Sequence, residues 1–128
     1  MLPWEILGEA IDALASERGI SVNVYQAPAA SIAAPGIVIR PDAPWMQAAG
    51  DQQPFGNMAE RYALVCVVSS NDPLSNIADL RELVRLARDA ADGVRAFRWV
   101  DTSGVTSSEA DGVEYLATIV RATYSAED

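Results

Sequence analysis

The sequence contains no histidine and no lysine, and all nine of its basic residues are arginines. A serine or cysteine nucleophile needs a general base within hydrogen-bond reach, and here only a carboxylate could take that role. The eight glycines lie far apart, so the sequence has no glycine-rich loop that could cradle a phosphate. These absences exclude mechanisms that depend on imidazole or on a lysine amine, and we predict that the protein is not an enzyme.

Cysteine and long apolar runs are also scarce. The single cysteine, Cys66, lies in the apolar run 63–68, where a buried thiol behaves as a small hydrophobic side chain. No run approaches the roughly 20 apolar residues of a membrane span. Residues 1–19 carry Glu5, Glu9 and Asp12 where a signal peptide would be basic and then apolar. We therefore expect a protein of a reducing, cytoplasmic environment that neither spans a membrane nor carries a cleaved signal.

Acidic residues outnumber basic ones 18 to 9, which gives a formal net charge of -9. Proteins that bind duplex DNA or anionic membranes neutralise phosphate with clustered lysine and arginine. The densest arginine run, Arg81, Arg85 and Arg88, is interleaved with acidic residues and is typical of a mixed helix surface. The polar segment 101–112 offers oxygen ligands but lacks the EF-hand spacing. We therefore expect no nucleic-acid binding, no metal and no cofactor.

The hydrophobic periodicity predicts two helices and five strands in the order α-β-β-β-α-β-β. Pro3 and Gly19 bracket the first amphipathic helix, and the second runs from Ile77 to Ala91 before Gly93. The predicted strands cover residues 20–26, 36–40, 59–70, 95–101 and 113–124. Strands grouped around two helices indicate an α+β fold with a mainly antiparallel sheet of about four to five strands. Both faces of strand 59–70 are apolar, so we expect a helix on one side and a second subunit on the other.

We expect a single domain over residues 1–124, with a short tail at 125–128 and a loop or arm insertion at 41–57. This insertion contains prolines, glycines and three large apolar residues: Trp45, Met46 and Phe55. The three residues are interface candidates because a polar, proline-broken loop offers them no local core. The alternative is that they fold back onto their own domain.

The last third of the chain resembles the C-terminal hairpin of tail terminator proteins from long-tailed phages of actinobacterial hosts. The matching segments are Phe97 to Asp101, a polar loop, and Gly112 to Thr123. The N-terminal helix, the strand Tyr62 to Ser69, an Asp-containing turn and the following helix occur in the same order in that family. The insertion at 41–57 departs from the family pattern.

The resemblance implies a structural virion protein, assembled in the host cytoplasm and located at the head-proximal end of the tail. Proteins of this family form a hexameric ring that caps the tail tube, stops its polymerisation and joins it to the head connector. The implied partners are other copies of the chain, the major tail tube protein and the head-tail connector or stopper protein. Genomic DNA would pass the acidic channel without specific binding.

Three alternatives remain open at this point. The first, within the same virion class, is a head-tail stopper or adaptor of the connector. The second is a small cytoplasmic protein-binding module that uses the 41–57 segment to grip its partner. The third is an acidic DNA mimic, which would need its carboxylates spaced along one exposed face.

Overall fold

The computed structural model describes residues 2–26, 34–48, 58–69, 73–110 and 113–125. These residues form two helices and a six-stranded sheet, which confirms the predicted α+β class. The elements in chain order are α1 (Pro3–Arg18), β1 (Asn23–Gln26), β2 (Gly36–Ala48), β3 (Met58–Ser69), α2 (Pro73–Gly93), β4 (Phe97–Thr102), β5 (Thr106–Ala110) and β6 (Val113–Ser125).

The strands lie side by side in the order β1-β2-β3-β6-β4, and β5 also pairs with β6. The β1–β2 pair is parallel and the other pairs are antiparallel, so the sheet is mixed. The prediction of four to five strands in the order α-β-β-β-α-β-β was wrong by one strand. The missed strand is β5, whose sequence Thr-Ser-Ser-Glu-Ala has no apolar alternation. Its pairing comes from β6, so hydrophobic periodicity could not reveal it.

The first helix begins and ends where its sequence predicts. The Glu5 carboxylate accepts a hydrogen bond of 3.1 Å from the Leu2 backbone N–H at the start of α1. Gly19 ends the helix in the left-handed conformation at φ 68°, which glycine adopts without steric cost. Arg18 then reaches Asp89 of α2 at 2.8 Å, and this hydrogen bond, with one from Arg88, lowers the pKa of Asp89. This ion pair connects the end of α1 to α2.

The second helix buries a stripe of leucines and alanines against the sheet. Its buried apolar residues are Leu80, Leu83, Leu86, Ala87, Ala90 and Ala91. The sequence placed the start of the helix at the apolar Ile77, but Ile77 is 53% exposed and Asn76 takes the buried position beside it. The stripe therefore begins one residue earlier than the apolar pattern indicates. In the described part of the chain, neither helix is long and apolar enough to cross a membrane.

Strand β2 is much longer than its sequence predicts. The sequence placed its end at Pro41, but the strand continues to Ala48 and pairs with the start of β3. A register shift between Pro41 and Met46 accommodates the two prolines there. β1 pairs only with residues 36–39, so over the described residues Pro41 and Pro44 lie where β2 has no partner on its outer edge. The first half of the predicted 41–57 loop is therefore strand, and residues 49–57 lie outside the described residues.

The core lies between the two helices and one face of the sheet. Alternate residues of β3 contribute to it, namely Tyr62, Leu64, Cys66 and Val68, and all four are buried. In this core Leu7, Leu80 and Tyr62 are buried, while Trp4 and Val84 are half-buried against it. Aromatic rings line one end of the core, with centroids 6.1 Å apart for Tyr62 and Phe97 and 5.0 Å apart for Phe97 and Tyr124.

Candidate interaction surface

The face of the sheet opposite the helices, termed the outer face, is the first candidate surface. Side chains alternate between the two faces of a strand, so the residues between the core positions point outward. The outer-face residues are Val38 and Arg40 of β2, Arg61, Ala63, Val65 and Val67 of β3, Ala117, Ile119, Arg121 and Thr123 of β6, and Arg98 and Asp101 of β4. Within the described ranges, both helices pack on the other side of the sheet.

An apolar row crosses the middle of the outer face. Val38, Val65 and Ile119 are direct neighbours on three adjacent strands, and Val67 pairs with Ala117 in the next row. Val38 is buried, whereas Val65, Val67 and Ile119 remain partly accessible. The sequence predicted a cover on both faces of β3, and the described helices supply only one of them. The apolar row therefore lies on a sheet face that has no helix of its own.

Charged residues occupy the neighbouring rows of the outer face. Asp42 lies between two arginines, with its Oδ2 3.2 Å from Arg61 and 3.5 Å from Arg121. Arg121 also contacts Asp101 at 3.1 Å. Arg40 and Arg98 are exposed, and neither forms an ion pair with any residue that the structure describes. Among the described residues, four arginines against two aspartates give the outer face a local charge of +2 on a chain whose total is -9.

The exposed side of α1 carries the opposite charge. Glu9, Asp12 and Glu17 are all exposed on this side of the helix. The only basic residue of α1, Arg18, is held by its ion pair with Asp89. The surface of α1 is therefore acidic and faces away from the sheet.

The β2–β3 hairpin beyond Arg40 is termed the arm, and its described residues are 41–48 and 58–62. Trp45 and Met46 lie on it and are 38% and 42% exposed. Trp45 forms a side-chain hydrogen bond with Tyr62, and the Tyr62 hydroxyl donates to Glu60 at 2.9 Å. The structure therefore places Trp45 and Met46 next to each other in β2. Trp45 contacts Tyr62 of its own chain and remains partly accessible. Phe55, the third interface candidate, lies outside the described residues.

Two titratable groups of β3 lie on the core face. Burial raises the pKa of the Cys66 thiol to about 12, and its nearest partner is the Leu64 carbonyl oxygen at 3.8 Å from Sγ. Burial also raises the pKa of Tyr62 to about 12, against the hydrogen bond from Trp45, which lowers it. At neutral pH the thiol is therefore protonated and inaccessible, which makes it a poor nucleophile.

A cleft of about 430 Å³ lies where the end of α1 meets the start of α2 and the end of β3. Its lining residues include Arg18, Pro35, Ser69, Asn76, Asp79 and Glu82. Ser69 makes no hydrogen bond to a carboxylate among the described residues, and the Nδ2 atom of Asn76 is buried without a partner. Across the described ranges, no group of three or more potential metal ligands comes together. The cleft thus has mixed charge and no assembled nucleophile.

No protein-family model matches the chain, and no curated protein matches it in sequence. Sequence reasoning found Trp45 and Met46 from their size in a polar segment, but it missed the outer-face arginines. Arg61 lies four residues before Val65 on β3, and Arg121 lies two residues after Ile119 on β6. Residues an even number of positions apart on a strand lie on the same face, and this spacing is the local signal that the arginines flank the apolar row.

Proposed function

We propose that the protein is a structural virion protein, a phage tail terminator that forms a ring on the tail tube. The observation that carries the proposal is the outer face, whose apolar row has no helix over it within the described residues. Such a face buries its apolar area when a second protein docks on it. A subunit that is completed only by its neighbours is what a ring-forming protein requires. The resemblance of the C-terminal hairpin and the order of the elements support the choice of family.

The arm and the net charge are consistent with this function. In the proposed ring, Trp45 and Met46 lie at a contact with the tail tube protein, the head connector or the next subunit. Large, partly exposed apolar and aromatic side chains of this kind are enriched at protein contacts. The net charge of -9 on each subunit would repel DNA from the wall of a channel, so that the genome passes without binding.

The proposal is tested by measuring the mass of the purified protein at micromolar concentration by native mass spectrometry. A subunit of 13.7 kDa predicts a hexamer of about 82 kDa. The same protein, gold-labelled and mixed with purified tail tubes, is expected at one end of each tube in negative-stain images. A protein that is monomeric at all concentrations and never decorates a tube end would contradict the proposal.

A head-tail stopper or adaptor is the second candidate, since the same exposed face would serve a connector ring. It predicts binding to DNA-filled heads and no binding to isolated tubes. A protein-binding module is favoured only by the exposed Trp45 and Met46 of the arm. It predicts a monomer or dimer whose binding is lost when both residues are replaced by serine.

A further inference from the structure

The surface charges of the protein are segregated between two of its faces. The residues of the outer face that the structure describes have a local charge of +2, from four arginines and two aspartates. The exposed side of α1 has three carboxylates, and Arg18 at its end is engaged by Asp89. Opposite charges on two separate faces favour contact between different copies of the chain.

Two of the outer-face arginines are free for an external partner. Asp42 and Asp101 are engaged by Arg61 and Arg121 within the chain. Arg40 and Arg98 are exposed and have no ion pair among the described residues. They lie on β2 and β4, which are separated by β3 and β6 and therefore by roughly 14 Å at the usual strand spacing.

The acidic side of α1 has a matching length. Residues 9, 12, 13, 16 and 17 follow helical three- and four-residue spacing, so they form one stripe, and all of them are exposed. From Glu9 to Glu17 the stripe is about 12 Å long at the helical rise per residue. Ala13 and Ser16 are small and lie between the carboxylates, so the helix backbone can come close to the sheet of another copy. A helix laid across the strands would thus bring carboxylates near both Arg40 and Arg98.

We infer that the outer face of one subunit binds the acidic side of α1 of a second copy. The inference rests on the proposed function, and it names the contact by which the ring closes. Arg40 and Arg98 pair with Glu9, Asp12 and Glu17 of the next copy, and the Val65 row buries apolar area beside them. Because the two surfaces differ, the contact is head-to-tail, which is the type that generates closed rings.

The geometry of a single subunit excludes an internal version of this contact. α1 packs on the core face of the sheet, so it cannot reach the outer face of its own chain. Duplex DNA is a poorer occupant because a local charge of +2 neutralises few phosphates and the chain as a whole is repelled. A second copy provides an acidic surface of similar length, and every copy carries one such surface for each outer face.

The experiment is a charge exchange between the two surfaces. The sheet variant carries Arg40→Glu and Arg98→Glu, and the helix variant carries Glu9→Arg and Glu17→Arg. Each variant alone brings like charges together and is expected to weaken assembly roughly tenfold or more, measured as the midpoint concentration in mass photometry. An equimolar mixture of the two restores opposite charges at every contact. A chain with all four substitutions does the same, so both should assemble near the wild-type concentration.

Two exposed arginines of α2 supply the matched control for the sheet variant, since Arg81→Glu with Arg85→Glu makes the same change of -4 in net charge away from both surfaces. This control should assemble as the wild type does, and circular dichroism should show that every variant is folded. If the sheet and helix variants assemble normally, or if folded variants are not rescued by mixing, the inferred contact is wrong while the ring stands. If the wild type never assembles, the proposed function fails and the inference fails with it.

Discussion

The two faces of β3 are both apolar over residues 63–68 but have different surroundings. Leu64 and Cys66 are fully buried beneath the helices, while Val65 and Val67 alternate with them and remain partly accessible. From residue 63 to residue 68 the strand is therefore apolar on both sides, and α1 and α2 pack on only one of them. A strand with two apolar faces indicates that both faces need a cover, but it does not say whether the cover belongs to the same chain.

Truncating two adjacent residues of β3, one on each face, should give the largest change in the free energy of unfolding and the largest difference between the faces. Leu64→Ala removes a fully buried side chain from the core and should lower the free energy of unfolding by about 2–5 kcal/mol. Val65→Ala removes a partly exposed side chain and should cost under about 1 kcal/mol in the monomer. Urea unfolding followed by tryptophan fluorescence, at a concentration where the protein is monomeric, measures both. Equal losses would mean that the outer face is as closely packed as the core.

Alkaline pH should destabilise the protein through two buried groups on the core face of β3. The pKa of Cys66 rises from 9.0 to about 12 on folding, so above pH 9 the unfolded chain releases a proton that the folded chain retains. The stabilising effect is complete below pH 9 and is lost as the pH rises toward 12, at up to about 1.4 kcal/mol per pH unit for one thiol. Urea unfolding between pH 8 and 11 should show this slope, and Cys66→Ala should flatten it. Tyr62 adds a fall of the same sign above pH 10. Identical slopes for the wild type and Cys66→Ala would contradict the assignment to the thiol.

Removing a surface ion pair of the outer face should have the smallest effect. Asp101 is 58% exposed at its side chain and contacts Arg121 at 3.1 Å. Asp101→Asn should therefore change the free energy of unfolding by about 0–1 kcal/mol, with the difference disappearing in 0.5 M NaCl. Thermal unfolding at low and high salt measures it. If the free energy of unfolding falls by more than about 2 kcal/mol, and the loss persists in salt, this group of ion pairs contributes strongly to the stability of the fold.

The helices were predictable because their signals are local. Pro3, Gly19 and the three- and four-residue spacing of Leu7 and Ile11 define α1 without reference to the rest of the chain. The strands were found where their own side chains are apolar, and were missed or shortened where the partner strand supplies the stabilisation. Thus β5 has no apolar pattern, and the second half of β2 contains prolines that usually end a strand.

The candidate surface was predictable only in part. Trp45 and Met46 stand out as large apolar residues in a polar segment, and both are partly exposed on the arm. The charged rows of the outer face were not foreseeable, because Arg61 and Arg98 come together only through β6, which pairs with both of their strands. The hydrophobic periodicity of a strand does not specify which residues of a distant strand it pairs with.

The pairing of β3 with β6 also bears on how the chain folds. Its partner residues are between 46 and 66 positions apart, from Ser69 with Tyr115 to Ala59 with Ser125. Closing such a large loop lowers the conformational entropy of the chain before the strand contacts form and stabilise it. We therefore expect slower folding than in a helical domain of similar size. Until β6 arrives, one edge of the most apolar strand has no hydrogen-bond partner. Intermediates with that edge open would be prone to aggregate through the unpaired backbone groups of β3.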